Sequence, residues 1–252
     1  MSETPGAIGL EYMRATRYSR DKLRGEALVQ YPRSPLYKTY PPDTQRLPLP
    51  SVPKTLQKNV WQCFLERRSL RDYAEQGLSQ EELAGLLWAS QGITAVQHHF
   101  AFRAAPSAGA LYPVETYVAV HRVEEIPPGI WHFNVPQFAL ELVSPGDFRR
   151  SLVLAGLNQQ FLGTAAAVFI WTGILGRSLW KYRQRAVRYL FLDAGHICGN
   201  LHLAATALGL GCCPVAAFFD EEVEALVHAD PEAEVAVYLA AVGRLATGRK
   251  AA

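Results

Sequence analysis

The sequence predicts an α+β fold, on three observations. Segments with helical spacing of apolar residues alternate with short runs rich in β-branched and aromatic residues. Residues 186–210 are continuously small and apolar apart from Arg188, Asp193, His196, Asn200 and His202, the mark of a long helix in a large core or at a subunit interface. The 252 residues are 49% hydrophobic and 19% charged with 19 Gly and 16 Pro. That is enough chain for one large domain or two small ones, and too apolar and varied for disorder, collagen or a coiled coil.

The elements follow in order. Residues 1–53 carry Arg14, Arg17, Arg20, Lys22 and Arg24, then prolines at 32, 35, 41, 42, 48, 50 and 53. Proline on that scale forbids long helix, so the segment reads as a short helical arm followed by an extended strap, with a partly disordered leader as the alternative. The interspersed Tyr and Leu argue that the strap lies on something. Residues 54–252 then read as one domain. Apolar positions 56, 60, 61, 64 and 65 share a helical face. Ser79 with Glu82 forms a capping box that opens the next helix, with Leu83, Leu86 and Leu87 inward.

Residues 114–122, 129–134 and 138–144 are β-rich, and Pro145-Gly146-Asp147 stops the third strand and starts a helix. Residues 164–175 read as a fully buried strand. The long helix follows and ends at Gly209 and Gly211. An extended CCPVAAFF segment, a helix from Asp220 and a strand over 234–243 complete the chain. No repeat or internal linker divides it.

Several function classes are disfavoured. The 25 Lys plus Arg against 23 Asp plus Glu leave a net charge of +2 and no nucleic-acid footprint. Cys63, Cys198, Cys212 and Cys213 contain no Cys-x-x-Cys pair, which argues against a zinc site or disulfide framework and for a reducing compartment. There is no secretory h-region and no apolar run of membrane length, so a soluble, cytoplasmic protein is expected. No metal site is expected either. His98 and His99 are adjacent and would point to opposite faces of a strand, His196 and His202 are six apart, and His196 reads as a satisfied core histidine.

Four segments carry candidate chemistry. In ERRSLRDY (66–73), three guanidinium groups and a hydroxyl offer a phosphate bidentate donors, although basic helix ends are commonly just solvated. In PSAGALYPVE (106–115), small residues allow close approach of a flat ligand or a second backbone; a plain turn into the next strand is the alternative. In the Gly-rich exit 208–218, backbone amides could run along an aromatic cofactor, or the strand could simply pack closely under the helix. Lys181-Tyr182 can move protons where the setting activates it, and is otherwise an exposed helix turn. Neither Gly-x-Gly-x-x-Gly nor Gly-x-Ser-x-Gly occurs.

Taken in order over residues 56–243, ERRSLRDY, PSAGALYPVE, LWKYRQRAVRYLFLDAGHICGNLHLAATALGLGCCPVAAF and VYLAAVGR resemble the FMN-dependent nitroreductase superfamily, and within it the SagB-type dehydrogenases. The resemblance implies a nitroreductase-like α+β sandwich with a central antiparallel-rich sheet and a long core helix. It also implies a homodimer with FMN bound in a cleft between subunits. By the same resemblance Arg67, Arg68, Ser69 and Arg71 match the phosphate- and ribityl-binding segment. Pro106, Ser107, Ala108 and Gly109 match the loop that the other subunit lays against the flavin. Pro214, Val215, Ala216 and Ala217 match the segment near the ring's reactive nitrogen, and Arg249 matches a C-terminal phosphate ligand, with Arg244 or Lys250 as substitutes. An amide within 158–160 would face the ring's polar edge.

Lys181 and Tyr182 stand where the family has a pair associated with oxidising thiazoline or oxazoline rings of ribosomal peptides to thiazole or oxazole. The implied partners are a cyclodehydratase and a precursor peptide, with oxygen reoxidising the flavin. Many nitroreductases have Glu-Gly where this chain has Ala216-Ala217, which weakens the alternative of an NAD(P)H-dependent nitroreductase or quinone reductase. A non-catalytic flavin-fold scaffold is a further alternative.

Overall fold

The computed structural model describes residues 8–20, 31–52, 58–98 and 100–246. Its frame is a seven-stranded sheet in the order β1-β6-β5-β4-β7-β9-β8, antiparallel at every pairing. The strands are β1 (Arg46–Pro48), β4 (Val114–Val120), β5 (Gly129–Asn134), β6 (Ala139–Pro145), β7 (Ala167–Ile174), β8 (Leu210–Val215) and β9 (Glu234–Arg244). A separate hairpin joins β2 (Ile93–Gln97) to β3 (Phe100–Arg103). β1 belongs to the Pro-rich strap and pairs with β6, Leu47 opposite Leu140, so the strap does lie on something. Its three-residue length at a sheet edge suits a segment with so few donors.

The interior strand β7 is buried over seven of its eight residues, and its alternate side chains feed two cores. Ala167, Phe169 and Trp171 face the cluster built from α3 (Gln80–Gln91) and α7 (Ala186–Ala207). Val168 and Ile170 face a second cluster under α4 (Arg149–Ala155), α5 (Phe161–Thr164) and α8 (Asp220–Leu226). This is a sheet covered on both faces, so its strands are apolar continuously rather than alternately.

On α7 the inward residues Leu190, Ala194, Ile197, Cys198, Leu201 and Ala205 recur at helical spacing, and Phe191 and Leu192 are left exposed at 59% and 58%. The helix therefore buries one face and presents the other. The expected capping box is present at α3: the Ser79 hydroxyl accepts from the Glu82 amide and the Glu82 carboxylate accepts from that of Ser79. A second, at Asn59 and Gln62, opens α2 (Val60–Glu66). The arm helix α1 (Ile8–Ala15) and the short α6 (Gly176–Tyr182) complete the elements used below.

Two histidine expectations are corrected. His98 sits in the β2–β3 turn with φ 47, not in a strand. His196 is exposed on α7, because its position falls on the outward side of the helix; the buried histidine of this helix is His202. No helix among the described residues is long and apolar enough to cross a membrane.

Candidate active site

The structure gathers the four segments into two half-sites. The first lies along β8. α2 ends at Glu66, and the Arg68 guanidinium turns back to donate to the Leu65 and Arg67 carbonyls at 3.0 and 2.8 Å. Arg68 Nη1 thus satisfies two carbonyls at the helix end. The next residues run beside β8: Ser69 bridges Cys212, and the Leu70 amide donates to the Cys212 carbonyl at 3.0 Å. From α7, His202 Nε2 lies 3.0 Å from the Arg68 carbonyl, and burial outweighs the opposing effect of that contact to leave the imidazole pKa below its usual value. The Tyr73 hydroxyl closes the segment by donating to the Leu70 and Ala241 carbonyls.

With the backbone fixed at this many points, Arg67, Ser69 and Arg71 are held next to the Pro214–Val215–Ala216–Ala217 exit. Among the described residues no carboxylate pairs with Arg67 or Arg71, and Arg71 stands 5.5 Å from the Phe161 ring centroid. Ala216 and Ala217 are exposed, and the Gln159 side-chain amide donates to the carbonyls of Gly156 and Ala217. Gln159 therefore shapes the exit loop. The neighbouring thiols are inert by burial, which raises Cys212 well above the ordinary range and Cys213 above it as well.

The second half-site is the 106–112 loop against α6. Gly109, Ala110 and Tyr112 all have positive φ, at 63°, 54° and 45°, a concentration of backbone strain that the surroundings must hold in place. Two groups do so. Asp193 on α7 accepts from the Ser107 hydroxyl at 2.6 Å and the Ala108 amide at 3.2 Å, and Ser107 in turn accepts from the Tyr112 amide. Burial raises the Asp193 carboxyl pKa against those donors. Arg177, buried on α6, donates to the Tyr112 carbonyl, to the strap's Pro35 carbonyl and to Glu115.

Lys181 and Tyr182, one turn beyond Arg177, meet this loop at Gly109. A Cβ at Gly109 would stand 2.5 Å from Tyr182 Oη and 2.6 Å from Lys181 Nζ, so a side chain there would displace both groups, and the φ of 63° itself favours glycine. Pro106 and Gly109 are exposed beside them.

The half-sites are anchored at Asp193 and His202 of the same helix. Nine residues separate these anchors, about 13 Å along the axis. A single chain thus presents its unpaired cations at one end of α7 and its Lys–Tyr pair towards the other.

Arg249 and Lys250 lie outside the described residues. Arg244 is engaged elsewhere, donating to both Glu82 carboxylate oxygens at 2.9 Å and to the Gly77 carbonyl. Sequence reasoning missed Asp193 and Arg177 as supports of the loop. Asp193 had left a trace as one of the few polar residues on an otherwise apolar helix; Arg177 had left none.

Residues 65–244 match the model of the Nitroreductase family. The chain belongs to the nitroreductase family. It is a nitroreductase-family oxidoreductase, and flavin is the cofactor generally used in that family. The nitroreductase-like protein MJ1384 of Methanocaldococcus jannaschii is 32% identical over 185 residues, 73% of this chain and 90% of the relative. The microcin B17-processing protein McbC of Escherichia coli is 29% identical over 131 residues, half of this chain and 48% of McbC. Among solved structures, a nitroreductase-type protein of Anabaena variabilis superposes with TM-score 0.77 at 26% identity, over 98% of this chain and 49% of that one. The E. coli microcin synthetase McbBCD complex with truncated pro-MccB17 bound gives TM-score 0.63 at 20% identity, over 95% of this chain and 92% of that one, a likeness of fold.

The residues present fit a phosphate-bearing flavin. Arg67 and Arg71, which pair with no carboxylate among the described residues and flank Ser69, are suited to bind a phosphate, and the side-chain-free Gly109 lies beside Lys181 and Tyr182.

Proposed function

We propose that this nitroreductase-family chain is an FMN-dependent dehydrogenase of the SagB type, oxidising thiazoline or oxazoline rings in a ribosomally made peptide to the aromatic azole. The observation that carries the reading is the convergence of Lys181 Nζ and Tyr182 Oη on Gly109. Aromatisation removes one proton and one hydride from the ring, so it needs a base beside a two-electron acceptor. Bound FMN would supply the acceptor, with oxygen as its reoxidant. Arg67, Ser69 and Arg71 bind its phosphate and ribityl chain. Pro106–Gly109 of one chain and Pro214–Ala217 of a second would flank its ring. Lys181 Nζ takes the ring proton and the Tyr182 hydroxyl passes it on.

The separation of the half-sites along α7 supports a homodimer in which each chain completes the other's site. So does the apolar surface that the chain exposes at Trp61, Leu65, Phe191 and Leu192. The processing roles in the names of McbC and of the trifolitoxin-processing protein TfxB of Rhizobium leguminosarum bv. trifolii, 33% identical over 143 residues and 38% of TfxB, support a peptide substrate. A cyclodehydratase that forms the azoline is then the natural partner. Ala216-Ala217, with no carboxylate, gives no support to NAD(P)H-linked nitroreduction.

The first test is the visible spectrum of the purified protein before and after anaerobic NADPH. A flavin spectrum that NADPH barely bleaches agrees with the reading, whereas rapid bleaching favours a nitroreductase and a colourless protein that cannot take up FMN favours a scaffold. Lys181→Ala should retain the flavin and lose at least about 100-fold in azoline oxidation, the scale of one general base. Unchanged turnover would remove Lys181 from the mechanism.

A further inference from the structure

The arm helix α1 docks beside the Lys–Tyr pair rather than at a distance from it. Arg185, the residue before α7, and Arg188 in the first turn of α7 both reach back to the end of α1. Arg185 Nη1 donates to the Thr16 carbonyl at 2.8 Å, Arg188 Nε donates to the Thr16 hydroxyl at 2.8 Å, and Arg188 also donates to the Met13 carbonyl. Cations at the C-terminal end of a helix are favourably placed against its dipole. The Tyr12 hydroxyl adds a bond to the Gln184 carbonyl.

This docking brings an arm tyrosine into a ring cluster that ends at the site. Arg185 lies 4.5 Å from the Tyr18 ring centroid and 5.7 Å from that of Tyr189, and its Nε donates to the Tyr189 hydroxyl at 3.0 Å. Tyr189 meets Tyr182 edge-on, with centroids 4.8 Å apart and planes at 73°. Burial, then the neighbouring Tyr189 hydroxyl, raise the Tyr18 phenol above its usual pKa, in keeping with contact between the two. The contacts thus run Tyr18–Arg185–Tyr189–Tyr182, and Tyr182 Oη points at Gly109.

We propose that the N-terminal arm is part of the active site, with Tyr18 and Tyr189 as positioning residues that hold the Tyr182 ring for the reaction. The inference rests on the reading of Lys181 and Tyr182 as the proton-handling pair. Tyr182 is only half-buried, on a helix that ends one residue from a strained Arg183 at φ 52. Its ring orientation therefore depends on what packs against it, and the packing partner found here is Tyr189, held by Arg185 against the arm.

The test uses the full-length, FMN-loaded protein and a thiazoline-containing peptide, with kcat, KM, flavin content and binding of the matching thiazole peptide measured together. Tyr189→Ala and Tyr18→Ala should each retain flavin, lower kcat about five- to tenfold, the weight of one aromatic contact, and change KM and thiazole-peptide binding less than twofold. Tyr189→Phe, which keeps the edge-on ring, should recover most of kcat. Wild-type kcat in Tyr18→Ala, or equal losses in Tyr189→Phe and Tyr189→Ala, would overturn the proposal. So would losses explained by lost flavin or raised KM. A wild-type protein that holds FMN but neither oxidises the thiazoline peptide nor binds the thiazole would instead sink the azoline reading, and the arm's role with it.

Discussion

Two sets of arginines in this chain teach opposite lessons. Arg177 and Arg46 end in carboxylates: Arg177 on Glu115 at 2.5 Å and Arg46 on Glu141 at 2.9 Å, with His132 between the two glutamates at 2.9 and 3.1 Å. Burial alone would lower the His132 pKa, but a carboxylate on each ring nitrogen outweighs it and the pKa is raised. Burial likewise pushes Glu115 up, yet His132 and Arg177 hold it at about 2. Arg67 and Arg71 pair with no carboxylate among the described residues and face outward beside the β8 exit. A buried charge must be neutralised by its own protein, whereas an unpaired cation on a rigid backbone is available to a ligand. Residue type alone does not separate the two roles; pairing does.

The sharpest way to break this contrast is to unpair the buried set. Glu115→Ala leaves Arg177 and His132 buried without their shared carboxylate and should cost about 3–5 kcal/mol in urea unfolding. A cost below about 1 kcal/mol would mean that water reaches the cluster.

Acid probes the same cluster without mutation. An unfolded glutamate titrates near 4.5 and the folded Glu115 at about 2, so the stability it contributes is complete above 4.5 and is lost as pH falls towards 2. His121, neutral by burial and lowered to about 4, loses its contribution earlier, between 6.5 and 4. Urea midpoints should therefore drop in two stages below pH 6.5, and Glu115→Ala should flatten the lower one.

At the unpaired set the expectation is reversed. Arg71→Ala should leave stability within about 0.5 kcal/mol while weakening FMN retention by roughly 1.5–3 kcal/mol, the worth of a charged hydrogen bond. Flavin occupancy by absorbance and a melting curve on the same sample decide it. The smallest effect belongs to the exposed pair of Arg149 and Asp147, bonded at 2.7 Å in open solvent. Asp147→Asn should change stability by less than about 1 kcal/mol, as measured by urea midpoint.

Much of the frame was legible because its signals are local. The Ser79–Glu82 capping box needs four residues, β5 was bounded correctly at 129–134 by its flanking turn, and the apolar run of β7 needed only its own composition. The buried cluster was not legible. Glu115, Glu141 and Glu234 sit in β-rich segments where a carboxylate looks out of place, and their partners lie far off in sequence: Arg177 is 62 residues from Glu115, and Lys38 is 196 from Glu234. The same distance hid the tie between Asp193 and Ser107, 86 residues apart. His196 was misjudged because an apolar helix gives little sign of which side faces out. Each half-site's sequence segments were visible early, but their division along α7 needed three dimensions.

The Lys38–Glu234 pair also sets a timetable for synthesis. Lys38 emerges from the ribosome 196 residues ahead of the carboxylate it meets, an interval on the order of 10–40 s at ordinary translation speeds. Once made, the Tyr117 hydroxyl, which Lys38 and Glu234 both contact, lacks Glu234 as a partner for the rest of that interval. Other strap contacts, β1 on β6, Arg46 on Glu141 and Pro35 on Arg177, need no residue of β9, so a nascent chain stalled before β9 would carry a strap able to seat on β6 with Lys38 still lacking its carboxylate.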